Sequence, residues 1–441
     1  MKRLFTFALS ALLAIASCAC VHQQPENTQD PEESQDPEVV DPVQEDPEGT
    51  RVPLSAQLTH VQPMTGIVLW TDSNSRSKDY VQLEFSYMLY DDICKEKDVF
   101  DWSYMDLILE DVASRGHQAV LRFRYVYPGY AAAVPAYIEE WPGYEPTNGK
   151  SEGRPTEFPD WRCEELQRFH MEFYRRLAER YDNDPRLAFL EIGFGLWAEY
   201  HIYDGPCIIG RTFPSHEFQA QFLPKMDEWF QHTPWMFSID AADSKYAPFH
   251  KQEELLNLHF GNFDDSFMCQ DWDGYNWSSW YFFGKERYKV APAVGEFSYY
   301  SNYDQKHCLD KEGMYGRVFE DMVAKVHMTF IIGNDQPGKQ KADRIREAAM
   351  SMGYRFEIRD FRIKEGKWAS VLVANVGVAP IYRSAFVAVD GVRGSFDLSS
   401  LMPGEEQWVR IPCAATMSSV LSIECDHLVP GQSIEFQADI Q

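Results

Sequence analysis

Two glutamates stand in contexts where a carboxyl group can do chemistry. The run Leu190-Glu191-Ile192-Gly193-Phe194-Gly195-Leu196-Trp197-Ala198-Glu199-Tyr200-His201 places Glu199 just past an apolar stretch, among aromatic residues. Ala291-Pro292-Ala293-Val294-Gly295-Glu296-Phe297 closes a second apolar stretch on Glu296. A carboxyl group in an apolar setting keeps its proton to higher pH than one in water. With a partner carboxylate facing it, it can protonate a leaving oxygen while the partner attacks, or activates water, from the other side. That is the two-carboxylate chemistry of glycosidic bond cleavage. The neighbours Trp197 and Tyr200 favour the protonated role for Glu199 and leave Glu296 as the carboxylate that attacks or activates water.

Other residues fit a sugar site around this pair. Aromatic rings stack on the apolar faces of sugars, and Trp197, Tyr200, Trp272 and Tyr299 lie close to the two runs or in an aromatic-rich segment between them. Tyr87, at the end of another apolar run, can line the same pocket. His201 and His259 can hold a hydroxyl, and Arg124 can brace a carboxylate or meet substrate. The segment 128–161, with Tyr130, Tyr137, Trp141 and Tyr144, is too long for a plain connector and is expected to wall the pocket. The plainer alternative is that Glu199 and Glu296 are structural and pair with Arg122 and Arg124, and that Glu191 is a hydrogen-bonding residue inside its strand.

Several chemistries are not supported. No H-x-H or H-E-x-x-H pairs the twelve histidines into a zinc motif, and Asp271 and Asp273 lack the later Glu of a calcium loop. There is no G-x-S-x-G elbow, no G-x-G-x-x-G and no Walker loop. The sequence therefore predicts neither a metal nor an organic cofactor. With 41 basic against 68 acidic residues the formal charge is −27, which repels phosphate backbones and argues against nucleic acid as a partner. The expected partner is a carbohydrate.

These residues need a scaffold that brings strand ends together. Eight short apolar runs alternate with amphipathic segments: 66–70, 82–88, 118–124, 187–193, 235–240, 256–260, 290–296 and 327–332. Over about 270 residues this is the count and size of a (β/α)8 TIM barrel, whose reactive groups sit at the C-terminal ends of its strands. Only about eleven residues separate the first two runs, so the first crossover helix is expected to be missing. After Gly353 the period changes to alternation, as in Tyr354, Phe356 and Ile358, and helical spacing disappears. The fold class expected is thus α/β: a barrel over 51–353 followed by a C-terminal antiparallel β-sandwich over 354–441.

At Glu199 and Glu296 the sequence resembles the clan of retaining (β/α)8 glycoside hydrolases. The resemblance implies an acid/base Glu after the fourth strand, Glu199, and a nucleophile at the end of the seventh, Glu296. The clan usually has Asn before its acid/base, where this chain has Ala198. Nearly the whole mature chain also resembles a family of bacterial secreted lipoproteins that pair a barrel with a C-terminal β domain. Gly195–His201 and Asn375-Val376-Gly377-Val378-Ala379-Pro380 carry that likeness. The departure at Ala198 keeps open a second function class, a non-catalytic glycan-binding protein on a degenerate barrel.

The first fifty residues read as an address. Lys2 and Arg3 precede an apolar stretch, and Ile15-Ala16-Ser17-Cys18 looks like a lipobox whose Cys18 becomes the lipidated N-terminus, making 1–18 a signal peptide. Residues 19–50 are read as an extended tether; from Val21 to Thr50 there are ten acids, five prolines and no Lys or Arg. The expectation is a protein anchored by lipid alone at the outer membrane or cell surface. Cys413 and Cys425, in one late β-rich segment, are candidates to pair.

Overall fold

A computed structural model describes residues 48–441 of the chain. Cys18 and the acidic segment before residue 48 lie outside the described residues. Eight parallel strands close into a barrel: β1 Gly66–Trp70, β2 Leu83–Leu89, β3 Gln118–Arg124, β4 Leu187–Ile192, β5 Trp235–Ser238, β6 Phe260–Phe267, β7 Ala293–Phe297 and β8 Met328–Ile332. Closure is direct, since Phe330 of β8 pairs with Gly66 of β1 and Leu69 of β1 with Glu84 of β2. No helix links β1 to β2, as their short spacing predicts. Apart from the β5–β6 connection, which has only 3-10 turns, the remaining strands are followed by α-helices, among them α1 Ser103–Ala113, α2 Glu164–Tyr181, α3 His216–Trp229, α4 Tyr275–Phe282, α5 Phe319–Val326 and α6 Ala342–Met350. In α2 the apolar stripe Leu166, Phe169, Phe173 and Leu177 is fully buried against the strands, while Glu164 at the first turn and Arg180 at the last complement the helix dipole.

The barrel interior is layered by the two-residue period of its strands. Val68, Phe85, Val120, Phe189, Met236, Phe263, Val294 and Phe330, one from each strand, belong to one buried cluster that fills the lumen. Two residues further along the same faces come Trp70, Tyr87, Arg122, Glu191, Asp265 and Glu296. An apolar floor thus supports a polar layer at the C-terminal mouth.

Strand β6 lies four residues later than the sequence pattern predicts. Of the apolar run 256–260, Leu256 and Asn257 end a short 3-10 turn over Glu253–Asn257 and only Phe260 enters the strand, which is Phe260–Phe267 with sequence FGNFDDSF. Its polar residues are nonetheless buried, because Asn262, Asp264 and Ser266 find partners from other segments. The shift leaves His259 at the N-terminal end of β6, away from the mouth. Its exposed ring pairs with Asp227 on α3 at 3.2 Å, so the expectation that it meets substrate is overturned.

Beyond the barrel, β9 Phe356–Lys364, β10 Trp368–Asn375, β12 Glu406–Ile411 and β14 Phe436–Ile440 form one sheet in the order β12-β10-β9-β14. Residues Leu54–Ala56 and Thr50–Arg51 add to it from the N-terminal side. Strands β11 Ala385–Val389 and β13 Leu421–Cys425 form a second sheet with Val392–Arg393. Both sheets contribute to one apolar cluster, with Ile358, Phe361 and Val371 from the first and Val387, Val389 and Ile423 from the second. The pairing is antiparallel except that β9 runs parallel to β14. Cys413 and Cys425 are both free: Cys425 lies in the second sheet opposite Ala385, whereas Cys413 follows β12 of the first.

These sheets cover the N-terminal end of the barrel. Arg383 donates to the carbonyls of Leu187 and Ala188 at the start of β4, at 3.0 and 3.2 Å, and Gln118 at the start of β3 donates to His427 O at 2.7 Å. The Asn375–Pro380 segment is part of this joint. Asn375 is fully buried, donates to Ala379 O and Leu401 O, and accepts from Gly377 N. A Cβ on Gly377 would meet Gly353 O and Arg355 N at 2.5 Å. That motif packs the two parts together. Among the described residues no helix is long and apolar enough to cross a membrane.

Candidate functional site

The open C-terminal mouth holds a cavity of about 810 Å³, lined by Glu199 and Glu296 together with Trp70, Tyr87, Tyr127, Trp197, Tyr203 and Tyr299. Glu199 is aimed into it by a folded-back turn after β4. Gly195 N donates to Glu199 O at 2.7 Å, Leu196 N to His201 O at 3.0 Å, and Trp197 N to Val126 O at 3.1 Å. Trp197 and Ala198 both take left-handed backbone conformations, φ +52° and +57°, which cost roughly 1–2 kcal/mol each outside glycine. The turn lies so close to the strand end that a Cβ on Gly193 would stand 1.9 Å from Ala198 O, and one on Gly195 1.8 Å from His201 O. Ala198, at the position where the resembling clan has Asn, is fully buried and does not line the cavity.

Alternation along this turn separates its residues. Glu199 and His201 face the cavity, while Tyr200 between them points the other way and is fully buried against Phe194, Phe213 and Phe237. Tyr200 is therefore a core residue, not a sugar contact. Trp272 is overturned as a contact for a similar reason: it is fully buried, and its indole N–H donates to Asp264 at 2.7 Å. Trp280 and Asn276 donate to the same carboxylate, so the aromatic-rich segment is folded inward around Asp264 and presents only Tyr275 and Asn276 to the cavity. Arg124 does not line the cavity either. Its guanidinium lies 4.6 Å from the Tyr127 ring and 5.9 Å from that of Tyr87, backing two rings that do.

One wall of the cavity is a chain of aromatic rings. Successive centroids lie 5.9 Å apart from Trp70 to Tyr87, 6.0 Å to Tyr127, 6.1 Å to Trp197 and 5.7 Å to Tyr203. The 128–161 segment contributes through its hairpin, Thr147–Ser151 with Arg154–Phe158, whose tip residue Glu152 reaches the cavity and accepts from Tyr203 at 2.6 Å. Tyr137 and Trp141 pack instead against the buried core, and Tyr144 is part of it. The far wall is acidic, with Asp240, Asp243, Asp265 and Asp335, and no Lys or Arg lines the cavity.

The carboxyl groups are held in different states. Beneath the cavity, Arg122 and Glu191 form a fully buried ion pair at 2.7 Å, and Arg122 also approaches Glu199 at 3.4 Å and donates to the Tyr87 hydroxyl. Burial, reinforced by the charge of Asp265 and opposed by Arg122, pushes Glu199 well above the usual carboxylate range. Burial also raises Glu296 to about 8 against the pull of Arg122, with Glu191 and Asp265 adding to the rise. His201 bridges two acids, 2.9 Å from Asp240 and 3.2 Å from Glu199. Burial alone would lower its pKa, but Asp240 overrides this and raises it to about 9, making it an imidazolium at neutral pH. Asp240 stays below its usual range in spite of burial because His201, Ser238 and Tyr275 all favour its charged form.

Arg122 is thus a keystone rather than a substrate contact. Replacing it by Met leaves Glu191 buried without a cation, and the expected cost is about 3–5 kcal/mol of stability, measured by denaturant unfolding. A loss below about 1 kcal/mol would show that Glu191 is neutral and needs no partner.

Among the cavity residues that the sequence reading missed are Asp240 and Asp265, with the rings of Trp70, Tyr127 and Tyr203. Asp240 ends the fifth apolar run, so a carboxylate at a strand end was the available signal. Asp265 was hidden by the misplaced sixth strand, since a run with four polar residues in eight does not look buried.

No protein-family model and no curated protein matches the chain. Among solved structures it is similar to an α-galactosidase from Thermus thermophilus, at 14% identity over 72% of this chain and 66% of that one, with a TM-score of 0.38. It is also similar to a glycoside hydrolase family 30 subfamily 8 xylanase from Clostridium acetobutylicum, at 9% identity over 86% and 95% of the two chains, with a TM-score of 0.36. A tri-modular endo-β-1,4-glucanase from Bacillus halodurans matches at 11% identity over 86% and 78%, with a TM-score of 0.35.

Proposed function

We propose that this protein is a retaining glycoside hydrolase acting on polysaccharide-derived sugars, with Glu199 as acid/base and Glu296 as nucleophile. The observation that carries the reading is that Glu199 and Glu296 open into one cavity beside a continuous wall of aromatic rings. Glu199 holds a proton for the leaving oxygen, Glu296 forms the glycosyl-enzyme, and Glu199 then takes the proton of the attacking water. The rings of Trp197, Tyr87 and Tyr299 supply stacking surface, and His201 holds Glu199 in place. Under the same proposal Cys18 is lipidated and the enzyme works at the outer membrane or cell surface, which mass spectrometry of the mature N-terminus tests.

A screen of aryl glycosides and of plant and host polysaccharides tests the activity, with the anomer of the first product followed by NMR. Retention is the expected result, and inversion would remove the covalent role of Glu296. Glu199→Gln should lose most of its rate on natural glycans, by about 10²–10⁴-fold, yet keep hydrolysing aryl glycosides whose leaving group needs no proton.

The pH profile follows from the shifts above. Glu296 must be ionised to attack, and it carries its proton below about 8. The value of kcat/KM should therefore rise with pH up to about 8 and fall only where Glu199 loses its proton. An optimum near pH 5 would show that Glu296 ionises well below about 8 in the working site.

The second reading, a glycan-binding protein without turnover, is favoured by Ala198 in place of the clan's Asn. It predicts saturable sugar binding with no product at any pH.

A further inference from the structure

We infer that His201, Glu199 and Asp265 form a site for a divalent transition-metal ion at the floor of the cavity. One ligand atom from each of the three lies within 4.8 Å of the other two. Glu199 Oε2 and His201 Nε2 are buried and face each other at 3.2 Å without hydrogen-bond geometry, an ion-pair contact that a metal ion replaces when it displaces the imidazolium proton. A four-coordinate ion with bonds of about 2.0–2.2 Å holds its ligands about 3.3–3.5 Å apart, so this pair is already spaced for one ion. A turn of the Asp265 side chain brings in the third ligand.

The surroundings are those of a metal-binding histidine. The other ring nitrogen, Nδ1, is 2.9 Å from Asp240, a carboxylate that is itself held by Ser238 and Tyr275. A carboxylate on the far nitrogen orients the ring and makes the ligating nitrogen a better donor. Seven carboxylates and no Lys or Arg line the cavity, so its field attracts cations. One imidazole with two carboxylates suits Zn²⁺ or Mn²⁺ rather than Ca²⁺ or Mg²⁺, which prefer oxygen alone. The fourth coordination position faces the cavity. If the glycosidase reading holds, on which this one consequence rests, the ion takes the oxygen of Glu199 that carries the catalytic proton. Zn²⁺ then inhibits hydrolysis and a chelator restores it.

Calorimetric titration of the protein with Zn²⁺ tests the site directly, and the visible spectrum of the Co²⁺-loaded wild type reports its coordination. One ion per chain is expected, with a four-coordinate Co²⁺ spectrum. His201→Gln and Asp265→Asn should each weaken binding at least tenfold, and Asp240→Asn by about 10–100-fold. Asp343→Asn, a change to an exposed carboxylate outside the cavity, should leave it unchanged. Absence of saturable one-to-one binding, or equal affinity in wild type, His201→Gln and Asp265→Asn, overturns the site. Binding is measured without any sugar, so failure of the hydrolase reading would leave it standing, and failure of the metal site would leave hydrolysis untouched.

Discussion

Glu296→Gln is expected to abolish hydrolysis and keep sugar affinity. The expected fall in kcat is about 10⁴–10⁶-fold, the scale on which removing a covalent nucleophile acts. The fold should survive, because the amide has the shape of the carboxyl and replaces a group that is largely neutral at pH 7. Stability gives an independent readout. A carboxyl raised from 4.5 to about 8 on folding binds its proton more tightly in the native state than in the unfolded one. Wild-type stability therefore falls, relative to the variant, as pH rises from about 4.5 to about 8, and the difference is complete above that. Unfolding curves of both proteins across this range should converge at acid pH and separate at alkaline pH. Undiminished hydrolysis by the variant would take the nucleophile away from Glu296. Binding without hydrolysis in both proteins would establish the non-catalytic reading.

Gly195→Ala is expected to damage fold and activity together, although position 195 carries no chemistry. Its Cβ would lie 1.8 Å from His201 O and 2.9 Å from Glu199 O, inside the turn that presents both side chains. These are backbone atoms of a segment tied down by hydrogen bonds from residues 195, 196 and 197, so no side-chain rotation makes room. The turn must open. The expected loss is about 3 kcal/mol or more of stability, at the upper end for overpacking. In the fraction that stays folded, hydrolysis should fall by about 10²-fold or more, because displacing a reacting group by about 1 Å has that effect. Gly338→Ala is the control, since nothing stands within 4 Å of a Cβ there. If Gly195→Ala matches the control in unfolding midpoint and rate, the turn does not position Glu199.

The barrel was legible because its signals are local. Apolar runs such as Gly66–Trp70 and Gln118–Arg124 have the length and boundaries of buried parallel strands, and they appear in the structure with those bounds. The missing first crossover helix follows from chain length alone. The change to alternation after Gly353 marks the departure from the barrel pattern at β9. Strand β6 broke the rule because its polar residues are buried by partners elsewhere. Asp264 of that strand accepts from Trp272, Asn276 and Trp280, which reach it only after the chain has turned back. No window of local hydropathy contains that information.

The same division runs through the site. Residue type and strand-end position pointed to Glu199 and Glu296 as facing one another, and the end of the second apolar run put Tyr87 with them. Which neighbours of Glu199 share the cavity depends on the folded-back turn, which sends Tyr200 into the core and His201 toward Asp240. Whether a tryptophan meets the cavity depends on what its indole N–H finds, and Trp272 finds Asp264. The sequence by itself determined the barrel, its acidic and aromatic endowment and two strand-end carboxyls, because periodicity and residue chemistry act over a few residues. Only the tertiary structure decided the third and fourth carboxylates, the aromatic wall and the protonation state of each acid. Those depend on burial and on charges brought within a few ångströms from strands far apart in the chain, and electrostatic energy is set by distance in space.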